Sequence, residues 1–164
     1  MGYLHIMIKI LCVGKIKEKF YRDALSEYEK RLSRYCKLQI VEVADERTPE
    51  KCSEAMKQQI LEKEASRLRA HIRDTDHVIA LAIEGRACGS PAFAKHMESL
   101  AVSGAGTIAF VIGGSLGLHN SILCRSNEQL SFSAMTFPHQ LMRVILLEQI
   151  YRSYRIIHHE PYHK

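Results

Sequence analysis

LSFSAMTFPHQLMRVILLEQIYRSYRIIHHEPYHK, residues 130–164, is the stretch that decides how the chain folds. It opens as a polar loop of small residues (Ser131, Ser133, Thr136) and reaches Pro138. A helix follows with Leu141, Met142, Val144, Ile145, Leu146, Leu147 and Ile150 in close succession. A surface helix carries one apolar stripe; a helix apolar nearly all round is buried on several faces. In a chain of 164 residues, that burial calls for a second copy of the chain. Just past the helix lies a tail dense in Tyr, His and Lys, placed to reach a partner subunit's pocket.

Upstream, apolar strand-like runs alternate with helical spacing. Ile6–Val13 is β-branched, apolar and closed by Gly14, the pattern of a buried strand. Residues 20–35 have helical spacing, 38–43 alternate as a strand, and 51–72 form a long charged helix with a thin stripe at Met56, Ile60 and Leu68. A strand over 77–83 ends before Gly85, and Ser90 caps a helix that has Pro91 at its first position. Thr107–Ile112 is a strand, about 120–126 a short helix and 129–131 a short strand. This alternation predicts an α/β fold with a mostly parallel sheet flanked by helices. The length fits one domain over 1–164.

Composition excludes several classes. Apolar residues make up 46% and charged residues 25%, ordinary for a globular chain. No apolar run is long enough for a membrane helix. The opening MGYLHIMIKILCVGK is interrupted by His5 and Lys9 and reads as a first strand, not a signal peptide. Five dispersed cysteines without a CxxC pair suit a reducing cytoplasm and give neither a disulfide framework nor a structural zinc site, and no metal is expected. Buried Cys12 and Cys36 read as small hydrophobes. The net charge of +5 permits a polyanionic partner, and residues 1–37 hold nine Lys or Arg against four Asp or Glu.

Ile112-Gly113-Gly114-Ser115-Leu116-Gly117 follows a strand and precedes a helix. Glycine there lets main-chain N–H groups approach a ligand. The run is neither a Walker A loop nor GxGxxG. Two further strand ends, Leu81-Ala82-Ile83-Glu84-Gly85 and Leu130–Thr136, converge on the same edge if the sheet is parallel. The lining suits an uncharged adenosine-like group better than a polyphosphate. His159-Glu160-Pro161-Tyr162-His163 spells HExxH, but Pro161 opposes the helix which that zinc motif requires. Arg152 pairs with Glu148 at i, i+4 or, with Arg155, binds phosphate beside Tyr154 and Tyr162.

Four segments together resemble the RlmH family, bacterial ribosomal RNA large-subunit methyltransferases of the SPOUT class. They are VGKIKEKFYRDALSEYEKRLSRY (13–35), FVIGGSLGL (110–118), LSFSAMTFPHQLMRVILLEQIYR (130–152) and EPYHK (160–164), and the likeness spans essentially the whole chain. The resemblance implies a SPOUT-type fold with a C-terminal trefoil knot over about 107–164, an exception to the rule against threaded chains. It implies a homodimer and S-adenosyl-L-methionine as methyl donor. Its reaction is methylation of a pseudouridine N3 in the subunit-interface hairpin of large-subunit rRNA, within assembled ribosomes. Cofactor positions implied are Leu81, Gly113, Phe132, Ser133, Ala134, Met135, Thr136 and Phe137; catalytic positions are Arg152, Tyr162 and His163. The chain departs from the family at Ala82, Ala134 and His158-His159. Within that reading His163 is the candidate base, since imidazole takes up protons near neutrality. Tyr162 would orient the base, and Arg152 would hold phosphate or an anionic oxygen. Lys15, Lys17, Lys19 and Arg22 are the candidate RNA face. The competing readings are a non-catalytic ribosome-associated factor and a nucleotide hydrolase; the latter lacks a phosphate-loop lysine and a carboxylate cluster.

Overall fold

A computed structural model describes residues 6–164, so the opening 1–5, read above with the first strand, lies outside the described residues. The strands are β1 (Met7–Val13), β2 (Lys37–Val43), β3 (His77–Ala87), β4 (Thr107–Ile112) and β5 (Glu128–Ser131). The helices are α1 (Lys19–Leu32), α2 (Glu54–Arg69), α3 (Ser90–Val102), α4 (Asn120–Arg125) and α5 (His139–Ile157). The sheet order is β2-β1-β4-β3-β5, and every pairing is parallel.

Strand side chains alternate between faces, and the two faces carry separate cores. Ile8, Ile10, Cys12, Ile79, Ile108, Phe110 and Ile112 pack with Leu25 and Leu32 of α1, Phe93 and Met97 of α3, and Leu146, Leu147 and Ile150 of α5. Leu11, Val13, Val78, Ala109 and Val111 face the other way, onto Ala65 and Leu68 of α2 and Ile122 of α4. β4 and most of β1 are buried on both sides, which is why they read as apolar runs, with Lys9 as the charged interruption in β1. Burial pushes the Cys12 thiol up to about 12 and the Cys36 thiol to about 11, so both are inert packing groups.

Three local expectations are corrected. First, β3 does not stop before Gly85. Leu81 and Arg86 both align with Leu130 of β5, so residues 82–85 bulge outward and pairing resumes. Gly85 is the contact point: a Cβ there would lie 2.7 Å from the Gln129 carbonyl carbon. Second, Gly89 rather than Ser90 caps α3. The Ser90 hydroxyl donates instead to Gln149 Oε1 at 2.8 Å, tying α3 to α5. Third, the inward stripe of α2 is Leu61, Glu64, Ala65 and Leu68, while Met56 is exposed. A buried glutamate hid that stripe from a hydrophobicity reading. Its carboxylate accepts from the Glu46 N–H at 3.1 Å, and burial raises its pKa.

α5 buries Arg143, Leu146, Leu147, Ile150 and Ser153 within the chain, while Leu141, Val144 and Ile145 remain partly exposed. The helix ends at Ile157, and His159 takes a left-handed conformation (φ 55°). The two histidines of the HExxH spelling therefore share no helical face. Glu160 is instead engaged by Arg155 and by the Tyr35 hydroxyl at 2.9 Å.

Candidate active site

The carboxyl ends of β3, β4 and β5 lie side by side in the sheet, and a cavity of about 400 Å³ opens beyond them. That volume is in the range of small-molecule sites. Its floor is the turn Gly113–Gly117. Gly117 has φ +83°, and its N–H returns to the Gly114 carbonyl at 3.1 Å. One wall comes from Leu81 and the β3 bulge, the other from Leu130, Phe132 and the loop to Phe137. Among the described residues, no Lys, Arg, Asp or Glu side chain lines the cavity.

Of the eight cofactor candidates, Leu81, Gly113, Phe132, Ser133, Met135, Thr136 and Phe137 stand in this wall. Ala134 is exposed and is not among the lining residues. Ser133 shapes the loop, its hydroxyl accepting from the Met135 N–H at 3.0 Å.

Sequence reasoning missed His139, which also lines the cavity at the start of α5. Its ring lies 3.6 Å from where a Gly14 Cβ would be, so it joins the β1 loop to the cavity wall. The signal available was a polar residue directly after Pro138, which could not be placed without knowing how α5 approaches β1. Burial, then the Arg143 guanidinium, hold its pKa below the ordinary histidine value, against the pull of Asp45 and Glu18. Its Nδ1 is buried without a hydrogen-bond partner among the described residues. The unfolded chain therefore takes up the proton first as pH falls below about 6.5. In that window the unfolded state binds more protons, so His139 makes the fold less stable as pH drops. His139→Gln should flatten the fall in stability between about pH 6.5 and 5, measured by denaturant unfolding of both proteins. An unchanged slope would exclude the imidazole as its source.

The three catalytic candidates are brought together, but elsewhere. Arg152 donates to Glu148 Oε1 through Nε at 3.0 Å and Nη2 at 2.6 Å. Its guanidinium carbon sits 4.7 Å from the Tyr162 ring centre, and Nη1 is 3.2 Å from His163 Nδ1. The Tyr162 hydroxyl donates to the same Glu148 oxygen at 3.1 Å. Glu148 thus anchors the group. Burial and the Glu148 carboxylate push the Tyr162 phenol up to about 12, so it stays protonated at neutral pH. None of the three lines the cavity. Met142 does, and Arg152 lies ten residues further along α5, about 15 Å by helical rise.

A family model described as "Predicted SPOUT methyltransferase" matches residues 6–163. A ribosomal RNA large subunit methyltransferase H of Bifidobacterium adolescentis is 59% identical over 157 residues, covering 96% of this chain and 99% of that protein. A protein of the same name from Clostridium botulinum is 55% identical over the same shares of both chains. The chain belongs to the RlmH family of SPOUT methyltransferases. A solved structure described as a probable methylase family protein from Haemophilus influenzae Rd KW20 shares the fold, with TM-score 0.54 at 14% identity over 96% of this chain and 70% of that one.

Proposed function

We propose that this protein uses S-adenosyl-L-methionine to methylate N3 of a pseudouridine in large-subunit rRNA, in the subunit-interface hairpin of assembled cytoplasmic ribosomes. The observation that carries the reading is the cavity's lining. It is glycine main chain, mostly apolar side chains and the hydroxyl residues Ser115, Ser133 and Thr136, with His139 as the one ionisable group among the described residues, its lowered pKa favouring the neutral imidazole. Such a wall suits an uncharged adenosine and offers nothing to balance a polyphosphate. Family membership and the relatives' names support rRNA as the acceptor.

The donor supplies a methyl group already activated by its sulfonium, so the protein's task is alignment and proton removal. Leu81, Phe132, Met135 and Phe137 would flank the adenosine, and the Gly113–Gly117 main chain would approach it closely. When bound, the donor would release its methyl group from sulfur to N3, and His163 would take the N3 proton. Tyr162, held as a phenol, orients the acceptor base, and Arg152 stabilises the uracil oxygen that gains charge.

Arg152, Tyr162 and His163 sit about three turns of α5 from their own chain's cavity. A homodimer, joined through the partly exposed Leu141, Val144 and Ile145, would deliver one chain's tail to the partner's cavity. The knot over about 107–164 belongs to the same proposal. Lys15, Lys17 and Arg22 are exposed beside Phe20, which is 65% accessible. They follow β1, whose carboxyl end lies at the cavity edge of the parallel sheet. That position suits them to hold RNA phosphates.

Mixed dimers test the shared site. One chain carries Gly113→Ala and the other lacks residues 161–164. Either homodimer should be inactive on ribosomes, and each mixed dimer should regain one working site of its two. No regain from verified mixed dimers would reject a tail acting across the interface.

A further inference from the structure

Three polar side chains converge where neither cofactor nor RNA is expected. His77 opens β3, Glu128 opens β5, and His96 lies in the second turn of α3. Ile79 pairs with Glu128, and His77 stands two residues before Ile79. Strand parity therefore turns His77 and Glu128 to one face of the sheet. Ile79 on that face packs in the same core as Phe93 and Met97 of α3, the helix that brings His96. Both imidazole Nε2 atoms meet one carboxylate oxygen: His77 at 2.6 Å and His96 at 2.7 Å from Glu128 Oε2. The side chains are 23%, 42% and 31% accessible for His77, His96 and Glu128, so the group is open on one side.

We propose that His77, His96 and Glu128 form a binding site for a divalent transition-metal ion of the zinc class. Two imidazoles and one carboxylate are a recurrent set for zinc, with a solvent molecule in the fourth position. The three donor atoms lie within 4.8 Å of one another. Metal–ligand bonds of about 2.0–2.1 Å place tetrahedral ligands about 3.3–3.4 Å apart. The present hydrogen-bonded contacts are tighter, so each imidazole would move about 0.6–0.8 Å away from the Glu128 oxygen to admit an ion. Imidazole donors favour zinc, nickel and copper over magnesium or calcium.

None of His77, His96 and Glu128 lines the cavity. His77 begins β3 and Leu81 reaches the cavity wall four residues later, about 13 Å along the strand. An ion there would pin β3, β5 and α3 together, so binding should appear as stability and not as catalysis.

The test uses the whole protein with Zn²⁺ for calorimetry and thermal unfolding, and Co²⁺ for absorption spectroscopy. One ion should bind per chain, with unfolding shifted upward as Zn²⁺ rises. The Co²⁺ spectrum should show d–d bands without a thiolate charge-transfer band, since no cysteine takes part. His96→Ala removes the most accessible ligand and should weaken binding about tenfold or more, and Glu128→Gln should do the same. His159→Asn, a tail histidine outside the cluster, should leave affinity unchanged. Absence of Zn²⁺ binding, a thiolate band, or affinity untouched by His96→Ala would each overturn the proposal, whatever the outcome of methyl-transfer assays.

Discussion

Gly113→Ala should abolish methyl-donor binding. Gly113 faces Gly117 across the turn that floors the cavity, and a Cβ on it would lie against the Gly117 carbonyl, 2.5 Å from its carbon. That obstacle is main chain, held in place by the bridge between Gly114 and Gly117. A flexible side chain could move aside; this turn must open. Overpacking of this kind costs about 1–3 kcal/mol and sometimes more. The displaced segment is also the surface proposed to meet the ligand. Donor affinity should fall about 100-fold or beyond detection, and the thermal midpoint should drop by several degrees. Calorimetric titration with S-adenosyl-L-methionine measures the first, and a thermal melt the second. Gly106→Ala is the matched control, since a Cβ there meets nothing within 4 Å. Affinity of Gly113→Ala within about threefold of the unsubstituted protein would remove the turn from the binding site.

Arg143→Ala should be the most destabilising single substitution in the helix that carries the tail. The side chain is 1% accessible and reaches from α5 to the end of β1. Nη1 donates to Glu42 Oε2 at 2.6 Å, and Nη2 donates to the carbonyls of Gly14 at 2.7 Å and Val13 at 3.1 Å. The same Glu42 oxygen accepts from the Ile16 N–H at 2.9 Å. Arg143 and Glu42 thus clamp the loop after β1, which leads into Lys15 and Lys17, against the start of α5. Truncation leaves two carbonyls and a carboxylate without their charged donor. Breaking a buried pair from one side costs about 3–5 kcal/mol. For a chain of this size each kcal/mol moves the melting point by about 2–4 °C, so the midpoint should fall by roughly 10 °C. Glu42→Gln should cost less, because the Glu42 side chain is 32% accessible and the amide oxygen still accepts. If Arg143→Ala melts within about 2 °C of the parent, the clamp contributes little and the order of the loop has another origin.

The features legible in the sequence were those set by local pattern. β4 was read at its observed limits, because an interior parallel strand is apolar throughout and here lies between Gly106 and Gly113. The convergence of three strand ends followed from alternation of strands and helices, since parallel strands all finish at one edge. The pair of Arg152 with Glu148 followed from helical spacing alone. What escaped depended on contacts between distant segments. Gly85 read as a stop because nothing local shows that Gln129 passes against it. Glu64 was left out of the stripe read for residues 51–72, because its partner, the Glu46 N–H, lies in an irregular loop. His139 depended on the approach of α5 to Gly14. His77, His96 and Glu128 are separated by 19 and 32 residues, and no spacing rule joins them. Ala134, placed in the cofactor set by the family resemblance, is exposed and is not among the residues lining the cavity.

The account rests on the cavity beyond β3, β4 and β5 serving methyl transfer to ribosomal RNA. Mass spectrometry of large-subunit rRNA tests this most directly, after ribosomes lacking the modification are incubated with the protein and S-adenosyl-L-methionine. The expected result is one added methyl per ribosome on a pseudouridine of the interface hairpin, fragmenting as an N3 adduct and absent with the Gly113→Ala protein. Unmodified rRNA from ribosomes shown to be intact, or a methyl group that Gly113→Ala still installs, would contradict it.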